Sequence, residues 1–468
     1  MYFENVCLGG IKVKSATLKL AKFISDLKYE QLSETTVDKA KQVLLDYVGV
    51  LLAGYYRSSA LSEKLSELII HNGGREEATI IGPAVKVPLI NAALVNGVLS
   101  HVVELDDGHR DAKGHPGVAV ISAALPTAEY LGATGKDLIT SIVAGYDIFV
   151  RIASSINPSH LNRGFHTTGT CGTFAACAAA CSLFKLNYEQ TANALGIAGI
   201  QASGLLEVTI DGQMAKALHA GKAAYGGVLA ALLAKEGVKG PKSIIEGKKG
   251  FVKTLSDEWD YNLMFKDLNN KFHIEDCYVK LYPSCRHTHA PVDAVFELTK
   301  KYDLSVSDIN KIIIKTYPTA ISFAGEIFKP NTAEEAKFSI AYCLCAALIK
   351  GKLGLKELEK ETLLNCEIRS LADKVTILSE PSFESSNLKV KGAEVEISLI
   401  DGRIIKSKID LPKGEIENPV SKDELIRKFI SCTFQYFNDD IIDRIVECIF
   451  EIDELDNINI FMCLLNVS

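Results

Sequence analysis

The chain is poor in the features that mark several specialised classes of protein. Tryptophan occurs once and methionine four times in 468 residues, so no aromatic platform for stacked bases stands out. There is no basic excess: 51 Lys and Arg face 58 Asp and Glu, for a net charge of −7. That balance argues against a nucleic-acid partner. The 12 cysteines include no Cys-x-x-Cys pair. Most sit in apolar helical sequence, as Cys171, Cys177 and Cys181 do beside runs of alanine, and they read as reduced, buried thiols of a cytoplasmic protein. No long Leu/Ile-rich run is present either. The longest uncharged segment, 167–184, is rich in Ala, Thr, Gly and Cys, which suits a close-packed buried helix rather than a membrane span. The opening MYFENVCLGGIKVKS carries Glu4, Lys12 and Lys14 and lacks the apolar stretch of a secretory signal.

What is present is a chain that is 47% apolar, long enough for two or three domains with sizeable cores. Apolar residues at spacings of three and four predict helices over 36–54, 91–105, 116–131 (with a kink at Pro126), 136–156, 168–186, 188–205 and 211–236. The character changes near Asn270. KIIIKT (311–316), KVTIL (374–378) and EVEISL (394–399) read as strands, the last continued into a hairpin by DGRIIKSKIDL (401–411). Helices at 291–301 and 333–349 lie between them. After Pro419 two amphipathic helices follow. These patterns predict a mainly α, two-domain protein: a large helical domain from 1–269, a smaller α+β domain over 270–415, and C-terminal helices, 416–468, returning to the first domain.

Four settings gather candidate chemistry. In HVVELDDGHRDAKGHP (101–116), His115 precedes Pro116, which suits a first helical position. A histidine there stays neutral beside a helix N-terminus that attracts anions, as an acid–base group acting on a carboxylate requires. The same residue also fits a simple cap, with Glu104, Asp106, Asp107 and Asp111 as solvated charge. RGFHTTGTCG (163–172) repeats the design with His166. In DGQMAKALHAGKAAYGG (211–227), Lys216 and His219 are neighbours at i and i+3, and a lysine in so small-residue-rich a helix calls for an anionic partner: a substrate carboxylate or an internal salt bridge. KLYPSCRHTHAPVDA (280–294) groups Lys280, Arg286, His287 and His289 in a cationic turn suited to carboxylates; surface charges and core histidines are the alternative. No HExxH, calcium loop, P-loop, dinucleotide fingerprint or Gly-x-Ser-x-Gly elbow occurs. The expectation is acid–base chemistry with no metal and no cofactor.

At these segments, and at FSIAYCLCAAL (338–348), the sequence resembles the MmgE/PrpD family, which includes 2-methylcitrate dehydratase, cis-aconitate decarboxylase and iminodisuccinate epimerase. The resemblance implies a homodimer with a helical domain from both chain ends, an α+β lid, and an active site in the cleft between them. It implies catalytic roles for His115, His166, Lys216, Lys280 and Tyr342, and substrate contacts from Glu104, Asp107, His109, His219, Arg286 and His287. Where the decarboxylase has an Asp and a Thr in the first motif, this chain has Glu104 and Gly108, with one residue inserted before His115. The expected activity is a metal-independent hydro-lyase of the 2-methylcitrate dehydratase type acting on a small di- or tricarboxylate. An iminodisuccinate-like epimerase, a cis-aconitate-type decarboxylase, a non-catalytic carboxylate binder and an iron–sulfur dehydratase are the alternatives.

Overall fold

The computed structural model describes residues 6–8, 11–13, 15–57, 60–210, 214–385 and 390–465. They form two compact units. The first comprises the described parts of Met1–Val102, Asp106–Tyr278 and Ser421–Ser468; the second comprises Val103–Leu105 and Val279–Val420. The boundaries thus fall at 278/279 and 420/421. Two local features explain why they lie beyond the composition break. Buried Arg151 donates to the carbonyl oxygens of Met264, Lys266 and Lys271, and its partner Asp147 accepts the His273 N–H at 3.0 Å, which ties residues 264–273 to the first unit. At the other end, Val279 N–H donates to Gly414 O at 3.0 Å and Arg286 holds Glu415 at 3.0 Å, which keeps that turn with the second unit.

The first unit is helical around α1 (Glu34–Tyr56), α2 (Leu89–His101), α3 (Gly117–Leu131), α4 (Gly135–Ile156), α5 (Thr167–Leu183) and α6 (Leu218–Lys235). Small residues set the crossings. A Cβ on Gly97 of α2 would stand 2.6 Å from Gly221 Cα of α6, and one on Gly227 of α6 would stand 2.5 Å from Ala176 Cβ of α5. Side chains larger than hydrogen would wedge these helices apart. Two helices, Gly135–Ile156 and Met214–Lys235, are long and apolar enough to cross a membrane, but 94% and 61% of their apolar windows are buried in the fold. α5 is buried along nearly its whole length, as its small-residue composition predicts, and α3 runs on through Pro126. Seven of the eleven cysteines whose side chains are described are buried, while Cys366 and Cys463 are exposed.

The second unit carries a four-stranded mixed sheet of β1 (Ile309–Thr316), β2 (Val375–Ser379), β3 (Ala393–Leu399) and β4 (Ile404–Ile409), in spatial order β4-β3-β1-β2. Only the β1–β2 pair is parallel. Ile312, Ile314, Val395 and Ile397 alternate inward and pack on α7 (His289–Lys301) and α8 (Ile340–Lys350). The 401–411 hairpin forms as its turn chemistry predicts, with Gly402 at a positive φ of 89°.

Several helices are shorter than the periodicity predicts, including 168–186, which ends at Leu183. The 91–105 segment ends at His101, three residues before Glu104 takes left-handed backbone at φ 55°. The 188–205 segment ends at Gly199. In the 211–236 segment residues 211–213 lie outside the described residues, Met214–Ala217 form a 3₁₀ turn, and the α-helix begins at Leu218. The 333–349 segment is two helices, because the Ser339 hydroxyl caps a new N-terminus by accepting from Tyr342 N–H.

Candidate active site

The helix-end geometry of the first unit assembles a group of imidazoles. His101 is the last residue of α2, His115 immediately precedes Pro116 at the entrance to α3, His166 is the N-cap of α5, and His219 sits in the first turn of α6. The ring centroids of His101 lie 5.2 Å from those of His115 and 5.9 Å from those of His166, and His166 and His219 are 5.0 Å apart. Four separate helix ends thus meet at one spot.

Asp106 holds one side of the group. Its Oδ2 lies 3.0 Å from His101 Nδ1 and 3.1 Å from His115 Nδ1. His115 Nδ1 is also 2.6 Å from the Asp107 carbonyl oxygen. Both neighbours of that nitrogen are acceptors, so Nδ1 carries the ring proton and Nε2 is the basic atom. The backbone N–H of His115 is fixed separately by Thr168 Oγ1 at 3.2 Å. Burial would raise the Asp106 carboxyl, but the facing imidazoles of His101 and His115 outweigh it and hold the group well below the usual carboxylate range.

On the other side, His166 Nδ1 and His219 Nδ1 are 2.9 Å apart, so one donates and the other accepts. Burial, followed by the charge of Lys216, keeps His166 well below its ordinary value. Burial, then His101 and Lys216, brings His219 down to about 4. Lys216, half-buried in the 3₁₀ turn before α6, therefore stands beside neutral imidazoles. A fixed cation near neutral bases is the arrangement needed to bind a carboxylate and to move a proton at the carbon next to it.

The neighbouring acid Asp107 has a different task. Its carboxylate accepts from Gly117 N–H at the start of α3 (3.1 Å) and from Tyr146 Oη (2.7 Å). Burial raises it to about 6 despite the Tyr146 hydrogen bond. It caps a helix. His109 is also apart: it accepts from Ala112 N–H, burial lowers it to about 4, and its ring sits 6.5 Å from that of His273. His109, His273 and Asp276 have ligand atoms within 4.8 Å of one another, but Lys271 already pairs with Asp276 at 2.7 Å and His273 bonds to it at 3.1 Å. The trio is accounted for as an ion-pair cluster. At Gly108 a Cβ would come within 2.5 Å of Tyr278 Cζ, so the space a side chain would take there belongs to the Tyr278 phenol.

In the second unit Lys280 is 1% exposed and donates to the Glu104 carbonyl oxygen at 3.0 Å and to Glu104 Oε2 at 3.3 Å. The pairing explains why Glu104 groups with this unit. Arg286 is engaged by Glu415 at 3.0 Å, by His289 Nδ1 at 3.0 Å and by the carbonyls of Pro412 and Lys413. These contacts make it a brace for the turn after β4. His287 Nδ1 lies 2.5 Å from Tyr317 Oη. Tyr342 is buried in the α8 core and its hydroxyl donates to the Glu357 carbonyl oxygen.

Of the eleven site residues read from the sequence, His115, His166, Lys216 and His219 come together in the first unit, and Lys280 meets Glu104 in the second. The sequence reading passed over His101 and Asp106. The signal was present as a histidine in the last turn of a helix with a carboxylate five positions on, but Asp106 entered the sequence reading only as part of an alternative run of solvated charge.

The MmgE/PrpD N-terminal domain model matches residues 18–264 and the C-terminal domain model matches 282–451. A cis-aconitate decarboxylase of Aspergillus terreus is 25% identical over 96% of this chain and 96% of its own length. The cis-aconitate decarboxylases of Homo sapiens and Mus musculus are each 25% identical over 97% of this chain and 95% and 94% of theirs. The two family models between them cover most of the sequence, and the chain belongs to the MmgE/PrpD family.

Proposed function

We propose that the protein is a lyase that acts on a small polycarboxylate by acid–base catalysis, with decarboxylation of a cis-aconitate-like tricarboxylate as its reaction. The observation that carries this reading is the juxtaposition of neutral imidazoles with Lys216. Removing carbon dioxide, water or a proton next to a carboxylate builds negative charge on that carboxylate in the transition state, and a pre-placed cation stabilises it. Lys216 supplies that charge. His115, with Nδ1 proton-bearing and Nε2 basic, receives or returns the proton at carbon. His166 and His219 share one proton between their Nδ1 atoms and act as the second acid–base pair. The full-length likeness to decarboxylases favours loss of carbon dioxide over loss of water.

Dehydration of a 2-methylcitrate-like hydroxy acid is the second reading. It is favoured by Gly108, whose missing side chain is replaced by the Tyr278 phenol, a weak acid of the kind a departing hydroxyl needs. Purified protein incubated separately with cis-aconitate and 2-methylcitrate decides between them. Carbon dioxide release from the first supports the proposal. A new conjugated double bond from the second, seen by ultraviolet absorbance with no carbon dioxide from the first, replaces it with dehydration. No turnover of either refutes both.

A further inference from the structure

We infer that Asp106 is a positioning residue shared by two histidines, and that His101 moderates how strongly the Asp106 carboxylate supports proton uptake at His115. The inference rests on the reading of His115 as the acid–base group. One carboxylate oxygen, Asp106 Oδ2, serves both Nδ1 atoms, at 3.0 Å to His101 and 3.1 Å to His115. The side chains of His101 and Asp106 are 0% and 4% exposed, against 15% for His115. Two inner groups therefore back the one that reaches outward. The Asp107 carbonyl already fixes the His115 tautomer, so what Asp106 adds is charge: it stabilises the imidazolium formed when Nε2 takes a proton. His101 donates to the same oxygen and draws off part of that negative charge. The other charged and titratable groups around the pair are Asp107, Asp46 with its Lys428 partner, His166, His219 and Lys216, and the variants below leave all of them in place.

A structural pair and a moderated carboxylate make different predictions. With Asp106→Asn the charge is lost while size is kept. We expect kcat to fall by about 10²–10⁴-fold, the range a general acid–base contribution spans, with KM changed less than threefold and the kcat–pH limb moved to lower pH. With His101→Leu the competitor is lost, and the same limb moves to higher pH. His101→Asn, which restores a side-chain N–H near the Nδ1 position, brings the limb back toward its original place. Limbs that move in the same direction in the Asp106→Asn and His101→Leu proteins, or kcat and KM altered together, would overturn the inference. A readout without turnover separates this from failure of the proposed reaction. In the ligand-free protein with ¹⁵N-labelled histidine, two of the downfield imidazole Nδ1–H resonances, those of His101 and His115, are expected to move upfield in Asp106→Asn. Their absence, or their persistence in Asp106→Asn, overturns the shared carboxylate whatever the substrate. Their presence in a protein that turns over no polycarboxylate leaves the pair standing and refutes the reaction.

Discussion

Replacing Lys280 by methionine keeps most of its length and removes its charge, and it separates a structural ion pair from a substrate-binding cation. In the folded chain Lys280 is 1% exposed and Glu104 is 5% exposed, with the ammonium donating to both the backbone and the side chain of Glu104. Lys280→Met leaves the carboxylate buried opposite an apolar chain. Breaking a buried pair in this way costs about 3–5 kcal/mol. An unfolding entropy of about 2.1 cal/mol/K per residue converts that cost into a shift in Tm. If the second unit melts alone, its ~145 residues give about 0.3 kcal/mol/K and a fall of roughly 10–16 °C. If all 468 residues melt together, the fall is roughly 3–5 °C. Scanning calorimetry reads both Tm and enthalpy, and the enthalpy says which case applies. The double variant Glu104→Gln/Lys280→Met removes the stranded charge, so the two changes are not additive, and a coupling of about 0.5–3 kcal/mol should be recovered. Recovery is incomplete, because the Glu104 carbonyl still lacks its donor. A Lys280→Met protein that melts within 1 °C of the parent while losing activity would refute the structural assignment and return Lys280 to the role of substrate ligand.

Further outcomes follow from the same geometry. Gly97→Val, which forces α2 off α6, should destabilise by about 1–3 kcal/mol in urea unfolding and lower kcat, since these helices carry His101 and His219; a neutral substitution would mean the crossing is not close. His160, which lies between the Leu255 carbonyl and Thr170 Oγ1, is lowered to about 4 chiefly by burial. The unfolded chain binds its proton near 6.5 and the native one does not, so the stability it supports is present above pH 6.5 and is lost as pH falls toward 4, by about 1.4 kcal/mol per pH unit. His160→Gln should flatten the dependence between pH 7 and 5; an unchanged slope would refute the burial argument. Asp107 works in the opposite sense. Raised to about 6 in the native state, it loses stability as pH climbs from 4 to 6, and Asp107→Asn should remove that loss in thermal melts across the same window. Tyr342→Phe should cost about 1–3 kcal/mol for the unpartnered Glu357 carbonyl while leaving kcat per folded molecule intact; a large fall in kcat would support the catalytic role that the family resemblance implies.

Much of this protein was settled by local sequence. The 3.6-residue apolar period fixed which segments are helices, the Asp401–Gly402 turn fixed the hairpin, and the small residues of 167–183 marked a buried helix, because these features depend on neighbours a few positions apart. His115 and His166 were legible for the same reason, as histidines at the start of helices. The rest depended on contacts far apart in the chain. Arg151 claims residues 264–271 for the helical unit across more than a hundred positions, which no composition break records. Tyr342 carried a motif but lies in a core, since its hydroxyl finds a carbonyl fifteen residues away. Asp106 and Asp107 are adjacent in sequence and serve different masters: one bonds two imidazoles and the other caps α3. Sequence determined the chemistry available at the helix ends. Tertiary structure alone decided which ends meet, because burial of a charge is tolerated only where a partner from elsewhere in the fold arrives to compensate it.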